Sequence, residues 1–511
     1  MKLDSGFCLP WKTSFVEWIE KGNKPEHCPA RQIRKLGELS AARMTNYLLV
    51  VLLIFVLFPE SLLAIPAFAR KYGLPCSACH ESWPMLNWFG QQFKDNGYQL
   101  GNERDAPIFQ NPAYWPATFR ITPFWERNST NKVQVDGPAG PGGNEAKVTV
   151  HGFNWSGLDF HTGGTLANNF SFYVLPSSDE FASFHFESVW ARLDNIFGTP
   201  WFNLKLGKFE LDNLLSEKRI LTLTGVGGIY WNYHFQPFSR PGVPENYVFG
   251  IGDNQVGLEY MGHSADDRTR VSASLLTASD SSLGALPDVP FSSAYEGYFT
   301  ASQGFQVGSL GVQRVGGFVF LGQAPTYYQY NLTTTTQVGV DSVTGAPVNS
   351  TTTTGIPGTG TANKGFQRYG LLGIWYIKNF DITTIYFHGH DSAWLGTDAA
   401  ALPGAVLPAG AHAPSWNGAL FESHYVVSPQ LILINRYELD RMSQQAFSSN
   451  PGNLGNLDTL TFGVRYNPFM NSRAGMAYHA EYAIIWQKGA SPVTFSTLAT
   501  SNLLLGIDFD F

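Results

Sequence analysis

From about residue 117 to the C-terminus, apolar and polar side chains alternate with a period of two. That period marks strands with one apolar and one polar face. The clearest pieces are hairpins with tight turns. Thr459–Tyr466 and Gly475–Trp486 are joined by a short Asn-Pro-Phe-Met-Asn turn. Gly370–Ile377 and Asp381–Phe387 flank Lys378-Asn379, and Leu420–Val427 and Leu431–Leu439 flank Ser428-Pro429. Long polar stretches separate the strand pairs, at 128–145, 210–245, 277–294, 325–364, 389–414, 440–457 and 487–500. Short turns alternating with long loops are the rhythm of outer-membrane barrels.

Counting crossings predicts about sixteen antiparallel strands. They start near 117, 146, 170, 183, 201, 247, 268, 295, 311, 365, 380, 416, 430, 458, 474 and 502. An even number places both ends of the barrel, 117–511, at the short-turn, periplasmic side. In the last strand Leu503, Leu505, Ile507, Phe509 and Phe511 share one face, while Asn502, Leu504, Gly506, Asp508 and Asp510 share the other. A strand that ends the chain on an aromatic residue is similar to the C-terminal assembly signal of Gram-negative outer-membrane proteins. A soluble β-sandwich is the alternative; a propeller lacks its repeat of about 40 residues.

Ahead of the barrel the period changes. Met85, Trp88, Phe89, Gln92 and Phe93 recur at helical spacing between Pro84 and Gly97, which predicts a short helix over 84–95. Still earlier, Tyr47–Phe58 is continuously apolar, the length of a signal-peptide core and short for a spanning helix. Ala64 and Ala69 are alternative cleavage points, and an uncleaved anchor is the other reading. Residues 1–43 are polar and contain Cys8 and Cys28; they lead to Met44, an alternative start. The expected organisation is a leader over 1–64, a short segment over 65–116 and the barrel.

Composition supports the barrel. Charged residues make up 14% of the 511, aromatics another 14%, and glycine is abundant at 52. Residues 1–64 hold 8 of the 33 basic and 6 of the 40 acidic residues, so the remainder carries a net charge of −9. That balance argues against a nucleic-acid partner.

The chemistry is concentrated in Cys76-Ser77-Ala78-Cys79-His80. Two thiols three apart can each form a thioether to a haem vinyl group, and the histidine that follows faces the iron as proximal ligand. Of the four cysteines, only Cys76 and Cys79 lie beyond the leader. A zinc site needs two further ligands nearby, and a thioredoxin-like pair needs a βαβ context. Haem c is the expected cofactor, with Cys76, Cys79 and His80 binding it and His80 on the metal. Trp83, Met85, Trp88, Phe89 and Phe93 are apolar enough to pack on a porphyrin or to form an ordinary helix core. The sixth ligand is open. His161, His185, His388, His390, His424 and His479 fall on strands with faces that can point inward. Lys205, Lys208, Arg368, Arg436, Glu438 and Glu481 alternate in the same manner and predict a charged lumen.

With these features together, the chain resembles outer-membrane fusions of one c-type haem with a porin-like barrel, which include iron-oxidising outer-membrane cytochromes. The resemblance rests on Pro66-Ala67-Phe68-Ala69-Arg70, Cys76–His80, Pro84, Leu86-Asn87, Phe89-Gly90, Phe93-Lys94 and Gly97-Tyr98. It implies an all-β transmembrane barrel of the outer membrane with a short helical haem segment at the periplasmic mouth or in the lumen. It also implies electron transfer between an extracellular donor or acceptor, Fe(II) among them, and a periplasmic carrier such as a soluble cytochrome. No residue set identifies Fe(II). The competing readings are a diffusion porin with the haem segment as plug, and a haem enzyme or sensor with an open iron position.

Overall fold

The computed structural model describes residues 67–510, apart from 83–84, 99, 101–116, 138–141, 168, 179–183, 213–253, 278–294, 325–329, 341–346, 357–363, 393–412, 414, 443–455, 472–474 and 492. The leader, Trp83 and Pro84 lie outside these residues.

Sixteen strands close into an antiparallel barrel. They are β1 (Ala117–Asp136), β2 (Asn144–Ala167), β3 (Phe170–Ser178), β4 (Phe184–Leu193), β5 (Asn203–Glu210), β6 (Asn254–His263), β7 (Thr269–Thr277) and β8 (Tyr295–Gln306). The second half is β9 (Val312–Ala324), β10 (Lys364–Ile377), β11 (Phe380–Asp391), β12 (Ser415–Ser428), β13 (Leu431–Met442), β14 (Leu457–Tyr466), β15 (Gly475–Gln487) and β16 (Leu498–Asp510). Each strand pairs with its sequence neighbour. Closure comes from β16 on β1, with pairs running from Thr500 and Thr130 to Asp510 and Arg120. The strand count and nearly every start agree with the period-two reading. The Thr-rich stretch after β9 contains a separate two-stranded ribbon, Tyr330–Val340 with Pro347–Ile356, where a loop was expected. Its run of β-branched residues favours extended pairing.

The outer face is apolar. Phe153 (83% exposed), Leu371 (67%) and Leu206 (64%) point away from the lumen. Phe380, Tyr425, Tyr466 and Tyr478 are exposed near the short-turn ends of β11, β12, β14 and β15, and Tyr369, Tyr386, Tyr437 and Tyr482 form a second exposed band farther along β10, β11, β13 and β15. Two aromatic bands on this part of the apolar outer face match the two interfaces of a bilayer. The chain is an outer-membrane β-barrel. In β16, Leu505 and Ile507 face out, whereas Leu504, Gly506, Asp508 and Asp510 are buried on the lumen side, as the alternation predicts.

The inner face has two characters. On β12 to β16 it is ionic. Glu422 accepts from His424 at 2.6 Å and from Arg436 at 3.3 Å, His479 bonds Glu481 at 2.9 Å, and Arg465 pairs with Asp508. On β8 to β12 it is aromatic, which the expectation of a charged lumen did not include. Tyr298, Phe318, Phe320, Phe366, Phe387 and Trp416 form one buried cluster, and Arg368 lies 4.7 Å from the Phe366 ring. These side chains pack on one another across neighbouring strands, so aromatic bulk shares that side of the lumen with the buried Glu296, Arg314, Arg368 and Asp381.

Eight of the residues expected to face inward do so: His161, His424, His479, Lys205, Arg368, Arg436, Glu438 and Glu481. Four do not. His388 and His390 share parity with the exposed Tyr386, because the buried residues of β11 are Asp381, Thr383, Ile385 and Phe387. A period of two lets only one parity face the core. Lys208 likewise shares the outward parity of Leu204 and Leu206, opposite to Lys205. His185 lies in the exposed start of β4, Phe184–Phe186, with the parity opposite to the buried Ser188, Trp190 and Arg192.

Leu371→Arg, which places a charge on the lipid face, is expected to destabilise the barrel by about 2–4 kcal/mol if Leu371 lies near the bilayer midplane. The denaturant midpoint for refolding into lipid vesicles measures it.

Candidate functional site

The segment ahead of the barrel forms α1 (Ala67–Tyr72), a single turn α2 (Cys76–Cys79) and α3 (Trp88–Asp95). In α2 a three-residue offset brings both cysteines close to one side of the turn. His80 leaves it in an extended conformation, φ −118° and ψ 139°. His80–Ser82 then pairs with Met85–Leu86. The expected helix therefore begins at Trp88 instead of residue 84, because Met85 and Leu86 are taken into that ribbon and Asn87 caps the helix.

Asn87 organises the motif. Its side chain accepts from the Gly90 amide at 2.9 Å and donates to the Ala78 carbonyl at 3.1 Å. Its own amide donates to the Cys79 carbonyl at 3.0 Å. This close approach requires glycine at 90: a Cβ there would stand 2.0 Å from the Cys79 carbonyl oxygen. At the other end of α3, Gly97 adopts φ +78°, and the Tyr98 amide returns to the Phe93 carbonyl at 2.9 Å. That is the left-handed helix stop that favours glycine. Arg192 of β4 donates to the Lys94 and Asp95 carbonyls at 3.1 Å each, satisfying helix-end acceptors.

Contacts run around the wall. The Ser77 amide donates to the Met470 carbonyl, 3.0 Å, in the β14–β15 turn, and Asn467 donates to Ser82 at 2.9 Å. Met85 packs on Ile432 and Ile434 of β13. Trp88 lies under the Arg314 guanidinium of β9 at 4.6 Å. Asp95 pairs with Arg270 of β7 at 2.7 Å, and Thr165 of β2 donates to the Gly97 carbonyl. The segment is thus a plug seated in the short-turn end of the lumen.

Between plug and wall lies a cavity enclosing about 1260 Å³ of non-atom space, part of it open to solvent. Cys76, Cys79 and His80 line it, together with Phe68, Tyr72, Leu74, Leu86, Phe93 and Tyr98. Lys94, Thr118, Arg120, His161, Tyr173 and Asp510 line it as well. Its lining is predominantly apolar, with a few polar groups, as in small-molecule and cofactor sites. Of the aromatics singled out in the sequence, Trp83 lies outside the described residues, and among the described ones only Phe93 lines the cavity. Met85 and Trp88 pack on the barrel instead, and Phe89 is exposed. Phe68, Tyr72 and Tyr98 replace them. Phe68 stacks on Tyr98 at 5.1 Å and meets Phe93 edge-on at 5.1 Å. No local signal in the sequence distinguishes these three, because the tertiary fold alone brings them together.

Cys76 and Cys79 are thiols and do not form a disulfide. Burial, with Asp510 nearby, pushes the Cys76 thiol up to about 11, and burial also raises Cys79. Redox CxxC pairs have the opposite property, a lowered thiol pKa. Among the described residues no set of three or more His, Cys, Asp or Glu side chains converges as a metal cage. His80 is the histidine of the motif, and the wall supplies His161 to the same cavity.

No protein-family model matches the chain, and no curated protein is similar to it. Among solved structures it is similar to an anion-selective porin from Comamonas acidovorans, at 11% identity and a TM-score of 0.45, covering 77% of this chain and 99% of that one. It is also similar to OprB of Pseudomonas putida, at 9% identity and 0.41, covering 85% and 99%. OmpT of Vibrio cholerae gives 10% and 0.41, covering 77% and 98%. The strand pairing defines the class independently of these scores: a closed, sixteen-stranded barrel of porin build. Within that class this chain is one with an N-terminal plug that presents a Cys-x-x-Cys-His motif to the lumen.

Two outcomes test the plug. Gly90→Ala forces α3 off Cys79 and is expected to cost roughly 1–3 kcal/mol, seen as faster proteolysis between residues 67 and 116 in an intact barrel. Burial alone would raise the Asp95 carboxyl, but Arg270, Lys94, His263 and Arg192 hold it below its ordinary value of 3.8. A lowered carboxylate contributes its stability above its unfolded pKa and loses it as pH falls through the folded one. The plug is therefore expected to stay seated at neutral pH and to loosen only below about pH 4. Asp95→Asn should loosen it at neutral pH. Hydrogen exchange of the α3 amides reads both.

Proposed function

We propose that this barrel binds one covalent c-type haem through Cys76, Cys79 and His80 and carries electrons across the outer membrane. The observation that carries the reading is the position of the motif. It lines a largely apolar cavity inside the lumen, held by a plug that contacts the wall on several sides.

The residues present fit that group. Two thiols on one side of a turn match thioether attachment, and His80 follows them as the axial ligand. Phe68, Tyr72, Phe93 and Tyr98 supply apolar walls that exclude water and lower the local dielectric. Lys94, 4.0 Å from Glu210, and Arg120, which donates to Asp159 at 2.8 Å, carry the basic charge of the lining. A haem in this place supplies one-electron exchange and needs no catalytic acid or base. The partners are outer-membrane lipid, a periplasmic electron carrier such as a soluble cytochrome, and an extracellular donor or acceptor, Fe(II) being one donor of suitable chemistry.

The second reading is a diffusion porin with the segment as plug. The sixteen-stranded, porin-like barrel favours it, since barrels of 16–18 strands leave an aqueous channel. Against free passage stand the seated plug and the aromatic packing along β8 to β12.

Expression with the c-type cytochrome maturation machinery is expected to give a chain that keeps its haem through denaturing electrophoresis. Cys76→Ala with Cys79→Ala should abolish that band, and His80→Ala should lose the low-spin spectrum. Vesicle-embedded protein should be reduced by an external donor, with Fe(II) and other reductants compared, while planar-bilayer conductance stays low. Open-channel conductance from a barrel with no donor-reducible haem would favour the porin.

A further inference from the structure

Resting on the haem reading above, we infer that His161 of the barrel wall is the distal axial ligand, so that plug and barrel each contribute one imidazole to a single site. Six histidines on the strands were open candidates from the sequence. His185 and His390 are exposed, and His388 shares the outward parity of β11 and bonds Asn417 on the exposed side. His424 and His479 point inward but are buried against Glu422 and Glu481, and neither lines the cavity. His161 is the one of the six that lines the same cavity as Cys76, Cys79 and His80.

Its setting is that of a metal-binding imidazole. Nδ1 of His161 lies 2.7 Å from the Tyr173 hydroxyl. A second-shell partner on one ring nitrogen fixes the ring orientation and tautomer and directs the other nitrogen to a metal. Tyr173 is itself held in place: its ring stacks on Tyr98 at 6.1 Å and on Trp190 at 5.9 Å. Directly opposite, Gly163 gives it room, since a Cβ there would stand 2.8 Å from the tyrosine ring. The plug residue Tyr98 therefore orders the wall residue that orders His161. Of the other Lewis-basic side chains on the plug's helix, Lys94 lies 4.0 Å from Glu210 and Asp95 pairs with Arg270 at 2.7 Å. Met85, the nearest thioether in sequence, is committed to Ile432 and Ile434.

A ligand set split between plug and wall has a consequence. His80 and His161 would both reach the haem only when the plug is seated, so the assembled barrel would hold it low-spin and closed to small ligands.

The test uses the full chain, matured with haem and embedded in vesicles. Wild type is expected to show the low-spin spectrum and electron paramagnetic resonance of bis-imidazole coordination, with no binding of carbon monoxide after reduction. His161→Ala should keep the covalent haem in denaturing gels, turn high-spin and gain carbon monoxide binding, and added imidazole should restore the low-spin form. His161→Met, which preserves bulk and offers a thioether, should change the ligand-field signature without loss of barrel assembly. Covalent haem with an unchanged low-spin spectrum in His161→Ala would overturn the assignment, as would a wild-type protein that is high-spin and takes up carbon monoxide. A wild-type chain that never acquires covalent haem would instead remove the haem reading itself.

Discussion

Closure of β16 on β1 is the constraint on which everything else depends. In a hydrocarbon layer an unpaired strand edge leaves a row of amides and carbonyls without partners, each costing several kcal/mol. Pairing from Thr500 with Thr130 to Asp510 with Arg120 removes the edge. Once closed, the wall must be apolar outside, and the alternation along each strand frees the inner face for any side chain that packs. That freedom is what the plug, the ionic face and the aromatic face exploit.

The plug and the wall are built for each other. Arg192 caps α3, Arg270 holds Asp95, Arg314 covers Trp88 and the β14–β15 turn binds Ser77 and Ser82. Breaking a buried pair such as Asp95–Arg270 leaves an uncompensated charge, a penalty on the order of 3–5 kcal/mol. The arrangement fixes the Cys-x-x-Cys-His turn in place. About 40 residues cannot enclose a cofactor by themselves. Here the barrel supplies Thr118, Arg120, His161 and Tyr173 to the other side of the same cavity.

The barrel was largely legible in the sequence because its signal is local. Period-two alternation, tight turns at Lys378-Asn379 and Ser428-Pro429 and the apolar face of β16 each report on neighbouring residues only. Inward parity was less secure. It failed for His388, His390 and Lys208, where a one-residue choice of phase reverses the face, and for His185, which lies in the exposed start of β4. The helix start moved from 84 to Trp88 because strand pairing of Met85 and Leu86 outcompeted the helical period.

By itself the sequence determined the strand number, the apolar outer face, the position of the Cys-x-x-Cys-His motif and the two thiols and one imidazole that define it. These follow from spacing along one chain. Only the tertiary structure decided that the motif sits inside the lumen, that Phe68, Tyr72 and Tyr98 form its apolar wall and that aromatic bulk packs along one side of the barrel. It alone singled out His161 among six histidines. Those features join residues separated by tens to hundreds of positions, and they arise when a closed wall and a seated plug bring distant side chains to one cavity.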